Sequence, residues 1–371
     1  MEGRAEMSVA ADYVPHLVTD EAEEDLRAAV RDLLSRRVST DALIAAYDGA
    51  APPDLWREMA GLGLAGVLIG EQHGGAGATP AVTAVVFEEL GAIPAHTPML
   101  TSAVIATTVL EEAGDTELLP GLADGSVVAA LAVPFSADPY SVIATVAAAD
   151  ARLSGRVQSV AGAEDAHVFL VPGSDGALYA VPSESVVVTP VTSLDMTRPV
   201  SDLEFDGAEG RRVSDDGAAA IRSGLAMGAA LLASEQAGIA RWCVTETVAY
   251  LRQRRQFGRV VGGFQAIKHR LADLYADTEQ ASAAARAAAV VSTDLGVDSD
   301  ESALTTAVAA AYCGDHAVRA AEEAVQLHGG IGMTWEHPAH LYLKRAKADQ
   351  IALGTPGRHR AALTILADLP A

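Results

Sequence analysis

The chain has 371 residues, half of them hydrophobic but only 5% aromatic, and carries a formal charge of -23. That length buries a sizeable core in two or three compact units, and abundant small side chains suit closely packed helices. A pI of about 4.7 argues against nucleic acid and anionic membranes as partners, while leaving room for one local basic groove around a phosphate.

Cys243 and Cys313 are isolated thiols in helix-like runs. They read as buried small side chains in a reducing cytoplasm, not as a disulfide framework or a metal knuckle. The acidic N-terminus lacks a signal-peptide core. No run approaches about 18 consecutive strongly apolar residues. A cytoplasmic location, with no membrane span, is expected.

Residues 20 to 125 read as helical. Leu26, Val30, Leu33 and Leu34 form one apolar stripe. Pro52-Pro53-Asp54 starts a helix carrying Leu55, Trp56, Met59 and Leu62, and Gly61 and Gly63 close it. Glu71 to Gly77 is a polar glycine-rich loop; by itself it is an ordinary turn as much as a phosphate cradle. Thr79-Pro80 opens a helix through Phe87, Leu90 and Gly91. Between 126 and 206 the character changes. Val127–Val133, Ser141–Ala147, Val168–Val171, Leu178–Val181 and Ser185–Val191 are β-prone runs punctuated by proline and glycine. They predict an antiparallel β-domain.

From 215 onward the pattern is helical again. Ser214-Asp215-Asp216 caps a segment from about 217 to 252. Ile267, Leu271, Leu274, Tyr275 and Thr278 mark one face of a second helix. A third runs from Ser302 to about Leu327, with Leu304, Val308, Ala311 and Tyr312 expected inward. The order predicts an α+β, mainly α, fold in three domains: 1–125 helical, 126–212 antiparallel β, and 213–371 a helical bundle.

Three constellations could carry chemistry. Arg252 to Arg259 holds four arginines in eight residues of an acidic chain. Clustered guanidiniums suit a pyrophosphate, and Phe257 could lie against an adenine. The same residues would equally serve a solvated helix end. Gln326-Leu327-His328-Gly329-Gly330-Ile331-Gly332 reads either as a helix C-cap or as a close backbone approach to a ligand, with His328 structural rather than catalytic. His337-Pro338-Ala339-His340, with His359, has no Cys, Asp or Glu at ligand spacing, so no metal site is expected. There is no Gly-x-Gly-x-x-Gly after a strand, no Walker loop and no nucleophile elbow.

Taken together, Tyr250-Leu251 through Gln256-Phe257-Gly258, then Phe264-Gln265-Ala266-Ile267, and Val325 through Gly330 resemble the acyl-CoA dehydrogenase family. Trp56 to Gly63, Glu71 to Gly77 and Phe87 to Gly91 resemble its N-terminal domain, and Asp195-Met196-Thr197-Arg198-Pro199 the end of its β-domain. The resemblance covers essentially the whole chain. It implies a C-terminal four-helix bundle and FAD bound across a subunit interface, one subunit holding the flavin ring and its neighbour the pyrophosphate and adenine. By resemblance, Arg254, Arg255, Gln256, Phe257, Phe264, Gln265, Gln326, Leu327, His328, Gly329 and Gly330 form the neighbour's half.

The ring-holding half departs from the family. Val133 to Asp138 stands where a Thr-Glu-Pro segment is usual, and Ser159 to Ala163 where a tryptophan- or threonine-rich strand is. The reaction removes an α-proton and needs a carboxylate. In the usual segment Leu353, of Ala352-Leu353-Gly354-Thr355, takes its place; in the minority arrangement on the long helix Gly228 does. Glu235, seven residues beyond Gly228, is a displaced candidate about 10 Å along the helix.

The pattern resembles the non-catalytic subunit of actinobacterial α2β2 steroid-CoA side-chain dehydrogenases. That resemblance implies a catalytic partner subunit supplying the glutamate, an acyl-CoA bound mainly in the partner's site, and electron-transfer flavoprotein as acceptor. The alternatives are a homo-oligomeric dehydrogenase using Glu235, and a non-catalytic acyl-CoA binding or scaffold protein.

Overall fold

A computed structural model describes residues 13–141 and 146–368. The expected strand Ser141–Ala147 falls mostly on 142–145, outside the described residues.

The first helices follow their caps. Asp20 and Glu23 form a reciprocal capping box at the start of α1 (Glu21–Arg37), whose Val30, Leu33 and Leu34 are buried. Ser39 caps α2 (Thr40–Tyr47). The next helix, α3 (Trp56–Gly61), begins after the two prolines, and Leu62 beyond it faces solvent. Thr79 caps α4 (Pro80–Ala92), with proline in the first turn. A buried π-helical stretch, Met99–Ala106, runs into α5 (Thr107–Glu112), and α6 (Leu119–Ala123) follows.

Two four-stranded sheets come next. One is ordered β1 (Ala129–Leu131), β4 (Val168–Pro172), β5 (Leu178–Pro182), β8 (Arg211–Ser214). The other is ordered β2 (Ala147–Ala149), β3 (Arg152–Ala161), β7 (Val200–Glu209), β6 (Val187–Val191). The pairing is antiparallel except that β1 lies parallel to β4. Leu153, Val157, Val160, Leu203 and Phe205 turn inward against Phe169, Val171 and Tyr179 as one core.

The last part is built on α7 (Ala218–Gln253), α8 (Gln265–Leu295) and α9 (Asp300–His328). Two short helices, α10 (Ala339–Ile351) and α11 (Pro356–Leu366), pack on α9 and fill the fourth position of the bundle. Asp216 accepts from the Ala218 amide at the start of α7. A two-residue turn, Phe257-Gly258, both with positive φ, links the short strands β9 (Arg255–Gln256) and β10 (Arg259–Val260). Val308, expected inside, is 44% exposed, and Tyr275, on the face marked for the second helix, is 57% exposed. On both helices the buried stripe is carried instead by small residues, among them Ala281, Ala285, Ala309 and Cys313, which let the backbones approach closely.

The crossing of α4 and α7 depends on two reciprocal glycines. A Cβ on Gly91 would sit 2.0 Å from the Glu235 carbonyl oxygen, and one on Gly238 would sit 2.1 Å from that of Glu88. Neither neighbour is a flexible side chain, so the helices would have to part. Gly238→Ala should cost about 3 kcal/mol or more, at the upper end for overpacking, and lower the melting temperature by several degrees. Gly61→Ala, whose Cβ would meet nothing within 4 Å, should leave it nearly unchanged.

Candidate functional site

A buried cluster of charge joins the three parts of the chain. Arg345 on α10 donates from Nε to Glu235 Oε1 at 2.8 Å, and from Nη1 to Asp195 Oδ2 at 2.9 Å and Thr197 Oγ1 at 3.1 Å. Its Nη2 donates to the Ala95 carbonyl at 3.2 Å. Arg198 donates to Glu235 Oε2 at 2.6 Å and Asp349 Oδ1 at 2.5 Å. Tyr47 from α2 donates its hydroxyl to Asp195.

Three carboxylates therefore face two guanidiniums. Burial pushes each acid up, but Arg345 more than offsets this at Asp195, as Arg198 and Arg345 do at Glu235, and both end below their ordinary values. Asp349 is the odd acid. Burial outweighs Arg198, Glu235 adds repulsion, and its carboxyl is pushed up to about 8. Its Oδ2 has no hydrogen-bond partner.

The two candidate base positions meet elsewhere. A Cβ on Gly228 would lie 3.0 Å from the Leu353 side chain and 2.8 Å from that of Ile105. Leu353 is buried, with φ of 52°. Thr101, Ile105, Leu131, Val133, Phe135 and Leu353 are among the residues lining a cleft of about 20 Å³, room for about one water. None of the lining residues is a carboxylate, and Glu235 is not among them.

Main-chain bonds hold the segments around this cleft together. The Phe135 amide donates to the Ser159 carbonyl at 2.9 Å, and the Leu353 amide donates to the Phe135 carbonyl at 2.8 Å. Ser159 sits at a bulge of β3 with φ of 54°. The Arg198 guanidinium lies 5.8 Å from the centre of the Phe135 ring, so the charge cluster borders one wall of the cleft.

The arginine-rich end is the opposite in character. Arg254, Arg255, Gln256 and Gln265 are exposed, Phe257 is 90% exposed, and Phe264 is half-buried. Phe264 meets the Phe257 ring edge-on, with Arg259 3.7 Å over its face. Among the described residues, none of Arg254, Arg255 or Arg259 forms an ion pair, while most other arginines do. Open guanidiniums beside the exposed Phe257 ring fit a phosphate and a planar base. They fit one end of a dinucleotide; the 20 Å³ cleft does not fit a three-ring flavin, which needs a pocket of roughly 300 Å³ or more.

Gln326, Gly329 and Gly330 are exposed and Leu327 half-buried at the end of α9, and Gly329 ends the helix with φ of 65°. His328 is buried. Its Nδ1 lies 2.7 Å from the Ala324 carbonyl, so that nitrogen carries the proton. The buried cluster around Arg345 was missed as a unit by sequence reading, although Asp195 to Pro199 stood out, because its members come from five separate segments.

Below about pH 4 Asp349 is protonated in both the folded and unfolded states. As pH rises the unfolded chain loses this proton first, so the folded state holds it in excess until about pH 8. Stability from this group is therefore present at low pH and falls as pH rises through that window. Wild type should lose melting temperature between pH 6 and pH 8. Asp349→Asn, which mimics the protonated acid, should flatten that slope. Glu235→Gln should lower melting temperature at every pH by breaking two buried pairs, a loss of about 3–5 kcal/mol.

The acyl-CoA dehydrogenase N-terminal domain pattern matches residues 20–126, and the C-terminal domain pattern residues 215–364. Acyl-CoA dehydrogenase IpdE2 of Mycolicibacterium smegmatis is 36% identical over 341 residues, covering 91% of this chain and 96% of that protein. Acyl-CoA dehydrogenase FadE34 of Mycobacterium tuberculosis is 35% identical over 369 residues, 94% of this chain, which spans only 48% of that longer protein. The ChsE4-ChsE5 complex of Mycobacterium tuberculosis superposes with a TM-score of 0.83 at 27% identity, covering 96% of this chain and all (100%) of that one. The Tcur3481-Tcur3483 steroid ACAD gives 0.81 at 27% identity, covering 94% and 98%. On this sequence and structural agreement, the chain belongs to the acyl-CoA dehydrogenase family.

Proposed function

We propose that this chain is the non-catalytic subunit of a heteromeric, FAD-dependent acyl-CoA dehydrogenase that desaturates a steroid side-chain CoA thioester. The observation that carries this reading is that Leu353 lines a small, mostly apolar cleft without a carboxylate, and Gly228 abuts the Leu353 and Ile105 side chains of its wall. An acyl thioester there would find no base and no room.

The open end supports the complementary role. Arg254, Arg255, Phe257, Phe264 and the Gln326–Gly330 turn would hold the pyrophosphate and adenine of FAD whose ring lies in a catalytic partner. FAD held this way would supply a hydride acceptor to a partner whose carboxylate would take the α-proton, with electron-transfer flavoprotein as the proposed electron acceptor. This chain's own residues bind and orient one end of the cofactor.

The likeness to a ChsE4-ChsE5 complex and to a Tcur3481-Tcur3483 steroid ACAD favours a two-chain enzyme of α2β2 type acting on steroid thioesters. The FadE34 match occupies about half of that protein, leaving room in it for a second unit of similar length. Glu235 is held by two guanidiniums within hydrogen-bond distance. A carboxylate so held is a poor proton acceptor, which weighs against the homo-oligomeric alternative.

Purified alone, the chain should carry no stoichiometric flavin; co-purified with a catalytic family member, the pair should hold about one FAD per heterodimer. Arg255→Ala in the complex should weaken FAD binding roughly 10–100-fold, the range for a charge-assisted hydrogen bond, measured by flavin fluorescence on dilution. Stoichiometric FAD in the chain alone would overturn the reading. Absence of flavin in every pairing would favour an acyl-CoA binding or scaffold role.

A further inference from the structure

Glu246 on α7, His328 at the end of α9 and His337 before α10 come from three separate segments. One ring nitrogen of each histidine and one carboxylate oxygen lie within 4.8 Å of one another. Gly332 makes this possible: a Cβ there would strike the Val325 carbonyl at 2.5 Å and the His328 Cβ at 2.9 Å. Only glycine lets the chain fold back tightly enough to bring His337 over His328, their rings 4.2 Å apart.

The His328 tautomer follows from its contacts. A carbonyl cannot donate, so Nδ1 donates to Ala324, and Nε2 presents a bare lone pair. That nitrogen is buried with no hydrogen-bond partner, in a side chain only 3% exposed. A backbone carbonyl fixing one ring nitrogen while the other stays free is how metal-binding histidines are usually oriented. Glu246 forms no ion pair among the described residues, so its carboxylate is uncommitted.

We propose that Glu246, His328 and His337 form a site for a divalent transition cation of the zinc type. Two imidazoles and one carboxylate are a common zinc set, with a fourth position left for water. Ligands about 2.0–2.1 Å from zinc stand about 3.3 Å apart in a tetrahedron, so the widest gap must close by about 1.5 Å. Glu246 and His337 are both half-buried and can rotate that far. Coordination through His337 Nε2 moves that nitrogen's proton to Nδ1, which gives up the long 3.3 Å bond it accepts from the Ala339 amide; the ring stays neutral throughout. The cation would clamp α7, α9 and the approach to α10 together. The site shares His328 with the Gln326–Gly330 turn assigned to FAD, but its test reads metal binding by the chain alone and does not depend on flavin.

The test uses the full chain and Co²⁺ as a spectroscopic stand-in for Zn²⁺. Titration should give about one Co²⁺ per chain with visible d–d bands of a four- or five-coordinate site. Zn²⁺ should displace it and raise the melting temperature by mass action. Glu246→Gln and His337→Ala should each weaken Co²⁺ at least tenfold. Both residues are only half-buried, and circular dichroism checks that each variant folds. No stoichiometric Co²⁺ in wild type, or affinity retained in either folded variant, overturns the site.

Discussion

Arg345 sits at the junction of the whole molecule, and its guanidinium finds partners in every part of it. It reaches Glu235 on the long central helix, Asp195 and Thr197 beyond the sheets, and the Ala95 carbonyl from the first helical layer. Burying such a charge is costly unless its donors are used, and here four acceptors use them. Arg198 extends the cluster to Asp349. The relative placement of the domains is thereby tied to a set of short, directional contacts rather than to apolar area alone.

The same cluster reaches the cleft. Arg198 lies against Phe135, and the Phe135 main chain links the β3 bulge to Leu353. With those three segments fastened to one another, leucine, isoleucine and phenylalanine side chains fill what a ligand would need. An apolar plug of this kind requires no further partner, since burial stabilises it. The arginine-rich end has the reverse physics. Unpaired guanidiniums and an exposed phenylalanine gain little from water alone, and they gain most when a phosphate and a planar ring arrive.

Much of this was legible in the residues. A stripe marked α1 and a cap marked α4, because a capping oxygen and a period of 3.6 are local properties; at α7 the N-cap is Gly217, and of the expected capping residues only Asp216 reaches the helix, at the Ala218 amide. The motifs around Phe257 and Gly329 were visible for the same reason. The longest strands were not among the expected runs. In β3 and β7 the buried positions Leu153, Val157, Leu203 and Phe205 alternate with Arg, Gln, Asp and Glu, so a search for apolar runs passed over a true period of two. Val308 was expected inside because its apolarity is local. Its exposure depends on alanine and cysteine forming the packed stripe of α9.

The sequence by itself determined the family likeness, the order of helices and strands, and the absence of a carboxylate at Gly228 and Leu353, because residue identity and local periodicity are written along the chain. Only the tertiary structure decided that those two positions meet at the wall of one small cleft, that Glu235 is held by two arginines, and that Glu246 stands beside His328 and His337. Each of these is a meeting of segments distant in sequence. Such meetings are set by how the helices cross, and the crossings rest on pairs such as Gly91 and Gly238, whose role appears only when the opposing backbone is in place.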